Sequence, residues 1–83
     1  MNVEHSLTVK ATCPVNKGSD IYQVTVKTSR LIKVEDILAA AERVTKEPTF
    51  QEELTERLLK EIGCQSVESI GYHSGVQTKV VCS

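Results

Sequence analysis

The chain has 83 residues, of which 40% are hydrophobic but only 4% aromatic, and ten basic side chains stand against eleven acidic ones. This length suffices for one domain, residues 1–83, and not for two. The near balance of charge argues against a nucleic-acid-binding surface on composition alone, because such proteins usually carry a basic stripe.

The cysteines Cys13, Cys64 and Cys82 are an odd number without a CxxC pair, which argues against a disulfide framework or a structural zinc. No apolar run reaches the length of a signal peptide or a membrane span. We therefore expect a cytoplasmic protein without a metal or a membrane partner. A core this small usually needs support, so we expect a homo-oligomer.

The first third of the chain predicts a β-hairpin. Residues 6–12 alternate between apolar and polar side chains, which indicates a half-buried strand. Pro14 cannot donate to a ladder, so this strand should end near Cys13. Residues 16–20 have turn chemistry, and residues 22–27 alternate again.

The middle of the chain predicts two helices. Pro48 should close the first helix. Thr49, with Glu52 three residues later, matches a capping box at the start of the second, and Gly63 suits its end. The expected inward-facing residues are Val34, Ile37, Leu38, Ala41 and Val44 in the first helix, and Leu54, Leu58 and Ile62 in the second.

Two further strands are expected at residues 66–72 and 76–82, joined by a tight connection at residues 73–75. The fold class is then α+β, in the order ββααββ. One four-stranded antiparallel sheet with both helices on one face satisfies these elements. Its open face and edges need covering, which partner subunits would provide.

Cys13 and Asp20 are the first candidate catalytic pair. A thiol at a strand end has the access that a nucleophile needs, and a carboxyl across the hairpin mouth can move a proton to or from it. The competing interpretations are structural: a small buried hydrophobe for Cys13, and a turn aspartate bonding its own backbone for Asp20.

Gln51, Glu52 and His73 are candidate substrate-binding residues. A carboxylate in a helix's first turn can hold a planar edge of N–H groups, although the capping box is the competing role for Glu52. His73 lies in the last hairpin, where a histidine is more often a surface residue. No second histidine or cysteine stands at metal-ligand spacing, so no metal site is expected.

Together, these features resemble the tunnelling fold (T-fold), whose units join into a barrel and bind purines or pterins between subunits. Cys13-Pro14-Val15 followed by Asp20 resembles the CP-x(5)-D motif of the 7-cyano-7-deazaguanine reductases (the QueF family), and the residues around Glu52 resemble that family's Phe-His-Glu stretch. The resemblance implies that Cys13 attacks a nitrile to form a thioimide, that Asp20 handles the proton and that Glu52 anchors the heterocycle.

One departure from the QueF pattern bears on the cofactor. The NADPH motif, Glu-Ser-Lys-Ser-x-Lys-aromatic, is replaced by residues 35–41, Glu-Asp-Ile-Leu-Ala-Ala-Ala, which lack both lysines. We therefore expect no NADPH cofactor, and addition of ammonia rather than hydride, as in the amidine-forming enzymes of archaeosine-type tRNA modification. The substrate would be a purine-like small molecule or a tRNA-borne base. A tRNA would need a local patch formed by Lys10, Lys17, Lys27, Arg30 and Lys33.

Three alternatives stay open at this point. The first is an NADPH-dependent nitrile reductase of queuosine biosynthesis, with the cofactor held by other residues. The second is a non-catalytic module that binds a purine or pterin. The third rests on residues 51–55, Gln-Glu-Glu-Leu-Thr, which resemble the Gln-Glu-Arg-Leu-Thr of GTP cyclohydrolase I. The zinc-binding cysteines of that enzyme have no counterpart here.

Overall fold

The computed structural model describes residues 1–83 and contains six regular elements. The predicted order of two strands, two helices and two strands is confirmed. The elements are β1 (Val3–Thr12), β2 (Ser19–Thr28), α1 (Val34–Val44), α2 (Gln51–Ile62), β3 (Ser66–His73) and β4 (Val76–Cys82).

The four strands form one antiparallel sheet in the order β1-β2-β3-β4. The β1–β2 ladder is uninterrupted and places Ala11 opposite Asp20. The last hairpin turns through Ser74 and Gly75, both with positive φ, a conformation that matches the twist of a two-residue hairpin. Strands β1 and β4 are the free edges of this sheet.

Both helices lie on one face of the sheet, as predicted, and the core is between them and the strands. Tyr22, Leu54 and Leu58 are its largest fully buried side chains. The complete cluster of buried apolar residues is Val9, Ala11, Tyr22, Val24, Val26, Ile32, Ile37, Ala40, Val44, Leu54, Leu58 and Val67.

The predicted apolar stripe of α1 is partly wrong. Val34 and Leu38 are 53% and 55% exposed. The buried line instead runs through Ile37, Ala40 and Val44, because the small Ala40 lets the helix approach its neighbours closely on that side. Val34 and Leu38 border an open groove beside β1.

Helix α1 ends at Val44, before Pro48. The residue after the helix, Thr45, donates from its backbone N–H (3.1 Å) and its hydroxyl (2.8 Å) to the carbonyl of Ala41. Thr45 itself leaves the helical conformation (φ −95°, ψ 4°), and the next N–H, that of Lys46, reaches only the carbonyl of Arg43 three residues back (3.5 Å), so the helix ends before the proline is reached. The prediction that Pro48 ends this helix is therefore wrong, because α1 stops at Val44, about one helical turn before the proline.

The two ends of α2 differ. At the carboxyl end, Gly63 takes the left-handed conformation (φ 69°), as expected for a C-cap glycine. Arg30 Nη2 also donates to the carbonyls of Ile62 (3.3 Å) and Gly63 (2.9 Å). This end of the helix is therefore closed by its own chain.

The capping box predicted at the amino end of α2 is absent. The N-cap position is Phe50, and no side chain caps the helix. Thr49 is buried, and its backbone N–H donates to the carbonyl of Thr12 at 3.1 Å. Because Thr49 is tied to the end of β1 in this way, α2 begins one residue later than the capping pattern requires, and Glu52 is left without a capping role.

None of the helices has both the length and the apolar character needed to cross a lipid bilayer.

Candidate functional site

A pocket of about 300 Å³ lies where the β1–β2 loop, the start of α2 and the end of β3 meet, a volume within the range of small-ligand sites. All five candidate residues line it, although they are far apart in the sequence. The lining consists of Cys13, Pro14, Val15, Asp20, Tyr22, Thr49, Phe50, Gln51, Glu52, His73 and Thr78.

Cys13 is held at the pocket by the loop that it begins. Its backbone N–H donates to the carbonyl of Gly18 (2.8 Å), and its carbonyl accepts from Lys17 (2.9 Å). Cys13 is half-buried, lines the pocket and is not part of the buried apolar cluster. The chain turns away from the sheet after Thr12, which leaves the thiol at the pocket wall.

Asp20 is a strand residue of β2, not a turn residue bonding its own backbone. Its carboxylate accepts from the hydroxyl of Tyr22 at 3.3 Å. Burial, followed by the charge and hydrogen bond of Asp20 and weaker effects of Cys13 and Glu52, raises the pKa of Tyr22 to about 12. Tyr22 is therefore a neutral donor to Asp20 over the physiological pH range.

The ring of Tyr22 fits in this position because Gly71 faces it from β3. A Cβ atom at position 71 would lie 2.5 Å from two ring carbons of Tyr22, which is too close for any real contact. The glycine thus places the tyrosine hydroxyl beside Asp20. No motif marks this role of Tyr22, although Asp20 and Tyr22 share a face of β2 by parity.

Gln51 is buried (3% exposed) and connects α2 to the last two strands. Its Nε2 donates to the carbonyl of Thr78 (2.9 Å) and to the carbonyl and hydroxyl of Ser69 (both 3.2 Å), and its Oε1 lies 2.8 Å from Nε2 of His73. Thr55 extends this network by donating to the carbonyl of Gln51 (2.7 Å). Ser69 and Thr78 were not predicted, since neither has a motif.

His73 is the last residue of β3 and is half-buried, so it is not an ordinary exposed turn residue. Its ring packs against that of Tyr22 with centroids 5.9 Å apart and a tilt of 48°. The bond to Gln51 and the contact with Tyr22 together fix the ring at the pocket wall.

Glu52 is exposed, forms no ion pair and is the second residue of α2. The first helical bond runs from Leu54 N–H to the carbonyl of Phe50 (2.9 Å), so the backbone N–H groups of Gln51, Glu52 and Glu53 have no partner within the chain. An unpaired carboxylate beside free donors can bind a ligand with both acceptor and donor groups.

The outer wall of the pocket is apolar. Phe50 is 48% exposed and Val15 is 77% exposed, and Pro14 lies beside them. A flat aromatic ligand would cover this surface while its polar edge contacts the carboxylates. Lysine and arginine are absent from the lining, so the site favours an uncharged ligand with N–H donors over a phosphate-bearing one.

The first turn of α1 is acidic where the NADPH motif of the reductases carries lysines. Residues 35–41 occupy the helix, and its first turn presents the exposed carboxylates of Glu35 and Asp36. Two negative side chains would repel a phosphate. The structure also contains no group of three or more histidine, cysteine or acidic side chains arranged to hold a metal ion.

Comparison with known proteins gives one kind of match. No family model matches the sequence, and no curated protein matches it significantly. Among solved structures, the apo form of the archaeosine synthase QueF-Like superposes with a TM-score of 0.87 at 21% sequence identity, covering 98% of this chain and 90% of the other. The predicted ββααββ architecture is thereby confirmed, and the likeness is one of fold.

Proposed function

We propose that this protein forms a covalent thioimide between Cys13 and the nitrile carbon of a 7-deazaguanine-type heterocycle and converts that nitrile into an amidine. The observation that carries the proposal is the meeting of Cys13, Asp20 and Glu52 in one pocket. The fold shared with an archaeosine synthase supports it.

The first step would add the Cys13 thiol across the carbon–nitrogen triple bond. The sulfur bonds to the nitrile carbon, and the thiol proton reaches the nitrile nitrogen through Asp20, giving an S–C(=NH) linkage. Tyr22 donates to Asp20 and so holds the carboxylate in place for this transfer.

The second step would release the sulfur. Ammonia adds to the thioimide carbon, the carbon–sulfur bond breaks, and the amidine leaves while Cys13 recovers its proton. No oxidant or reductant is required. The absence of both motif lysines from residues 35–41, where the first turn of α1 is acidic, supports this step over hydride transfer, because those lysines would bind the phosphates of a nicotinamide cofactor.

Glu52 would recognise the heterocycle. Its exposed carboxylate at the pocket wall can accept two N–H groups from one planar edge, while Phe50 packs on the ring face. This arrangement would place the nitrile toward Cys13.

The active form is proposed to be a homo-oligomer. Strands β1 and β4 each have one edge without a neighbour in the chain, and Val76 and Val81 of β4 are 62% and 60% exposed. Strand pairing between copies would cover these edges. Light scattering at micromolar concentration tests this, and a stable monomer would refute it.

A tRNA-borne base, unlike the free base, would require basic side chains on the protein surface to bind the tRNA phosphates. Within one chain, Lys27 pairs with Glu4 across the β1–β2 ladder, six residues along β1 from Lys10. The two lysines are thus roughly 20 Å apart, and Arg30 is engaged at the end of α2. One chain therefore offers a tRNA two separated basic contacts rather than a compact basic patch, and further contacts would come from neighbouring subunits.

The deciding experiment is the intact mass of the protein after mixing with 7-cyano-7-deazaguanine, alone and within tRNA. We expect an adduct on the wild type and on Cys64→Ala, and none on Cys13→Ala. Ammonium or NADPH added to the adduct then separates an amidine product from an amine. An absent wild-type adduct with both substrates, or an equal adduct on Cys13→Ala, would refute the proposal. Tight binding without an adduct would favour a non-catalytic binding module.

A further inference from the structure

We infer that Gln51 does not bind the ligand but positions His73, and that His73 contacts the heterocycle through Nδ1. This inference rests on the proposed function for the identity of the ligand. Its geometric part concerns the protein alone and can be tested without any ligand.

The orientation of the Gln51 amide follows from its partners. The carbonyls of Ser69 and Thr78 can only accept, and both lie within 3.2 Å of Nε2. A flipped amide would set its oxygen against those two carbonyl oxygens and leave it without a hydrogen between them. The oxygen of the amide must therefore face His73.

The histidine tautomer follows in turn. Because Gln51 Oε1 can only accept, Nε2 of His73, 2.8 Å away, carries a hydrogen. The other ring nitrogen, Nδ1, has no hydrogen-bond partner within the chain. In the neutral ring Nδ1 is an acceptor, and it suits a ligand rich in N–H groups.

The amide of Gln51 is in contrast fully committed. Its nitrogen has three acceptors, its oxygen accepts from His73, and the side chain is 3% exposed. A ligand bond to it would have to displace one from a buried network. Glu52 is thus free to bind a ligand, whereas its neighbour Gln51 is engaged in holding His73.

The first test is an NMR observation on the unliganded wild type. Only two histidines are present, and His5 serves as the internal reference. We expect a slowly exchanging imidazole N–H at Nε2 of His73, lost in Gln51→Met and retained in Thr55→Val, which breaks a neighbouring bond in the same network. A His73 ring whose neutral form carries its hydrogen on Nδ1, or an unprotected Nε2–H, would overturn the positioning role.

The second test is a double-mutant cycle on the rate of adduct formation with 7-cyano-7-deazaguanine. We expect His73→Ala and Gln51→Met each to slow the reaction about tenfold, the value of one hydrogen bond, and the double variant to be no slower than His73→Ala. A purely structural role for Gln51 would instead give multiplying effects, which would overturn the inference.

These outcomes separate the two proposals. No adduct on the wild type refutes the proposed function and with it the ligand contact of His73, whereas the NMR result still decides the positioning role. A wild-type adduct with unchanged rates in both single variants would overturn this inference alone. If Gln51→Met does not fold, His73→Ala and the wild-type spectrum still give an answer.

Discussion

The two ends of helix α2 differ in how their backbone groups are satisfied. At the carboxyl end, a left-handed glycine and the guanidinium of Arg30 satisfy the last carbonyls. At the amino end, no side chain caps the helix, and Gln51 and Glu52 line a pocket instead. A helix end that is buried or closed contributes to stability, and one left open beside a pocket is available to a ligand.

The cysteines near these ends differ in the same sense. Cys64 lies just after the closed end, and its thiol donates to the carbonyl of Ser66 at 3.6 Å. Burial raises the pKa of the Cys64 thiol, which disfavours the reactive thiolate. Cys13 lies at the open end on the pocket wall. The contrast teaches that position relative to α2, rather than residue type, separates a structural thiol from a candidate nucleophile.

The largest expected effect at the open end concerns Tyr22 at high pH. Its pKa is about 12 in the folded protein and about 10 in the unfolded chain. The neutral ring is favoured in the fold, so this stabilisation is complete below pH 10 and is lost as the pH rises toward 12. The total is about 2.7 kcal/mol.

The measurement is the free energy of unfolding in urea at several pH values, for the wild type and for Tyr22→Phe. The difference between the two should fall by about 1.4 kcal/mol per pH unit above pH 10. A difference independent of pH would show that Tyr22 is not held as a neutral donor to Asp20.

The next effect compares two adjacent carboxylates. Glu52→Gln should weaken binding of the heterocycle to a Cys13→Ala background by about 2 kcal/mol, roughly 30-fold, because the amide has no charge and replaces one of the two acceptor oxygens with an NH₂ donor. Glu53→Gln removes a charge from the same helical turn but does not line the pocket. Calorimetry should therefore show little change for it. Equal losses of affinity in both variants would mean that Glu52 acts only through its charge and not through a direct contact with the ligand.

At the closed end, the expected effect is on stability and not on chemistry. Arg30→Met should lower the free energy of unfolding by about 1 kcal/mol, since it removes the donor to two terminal carbonyls. Arg57→Met, an exposed arginine of α2 without an ion pair, is the matched control. The adduct rate should be unchanged in both. A slower rate in Arg30→Met would mean that the two ends are coupled.

The smallest effect is expected at Thr49. Its hydroxyl does not cap α2 and donates only to the carbonyl of Phe50 (3.2 Å), which keeps the Leu54 N–H as a donor when the hydroxyl is removed. Thr49→Val should therefore change the free energy of unfolding by less than about 0.5 kcal/mol, whereas loss of a true N-cap costs about 1 kcal/mol. Denaturant unfolding decides between them. A loss of the larger size would restore a capping role.

The helices and strands were predictable because each has its own hydrophobic periodicity, and several are followed by a residue that ends them. The alternation of β1 and β2, Pro14 after the first strand and Gly63 after the second helix all act locally. Pro48 does not end α1, which stops at Val44, and the two other wrong predictions have tertiary causes. The capping box at Thr49 was overridden by a bond to Thr12, and the stripe of α1 was rotated by close packing at Ala40.

The site was predictable only where a motif existed. Cys13, Asp20 and Glu52 were found through their spacing, and the structure brings them together, although their roles remain predictions. The bond from Gln51 to His73 spans 22 residues and has no local pattern. Tyr22 was identified only as a strand residue, because its position depends on a distant residue: its ring occupies the space that a side chain at Gly71 would fill.

That missing side chain makes positions 22 and 71 a single unit of variation. Any residue larger than glycine at position 71 would expel the tyrosine ring, and a small residue at position 22 would leave a hollow that only a larger neighbour could fill. Relatives that retain the donor to Asp20 should therefore keep both residues, and those that lose one should replace the other in compensation. Covariation of positions 22 and 71 would therefore identify relatives that share this site better than either residue alone.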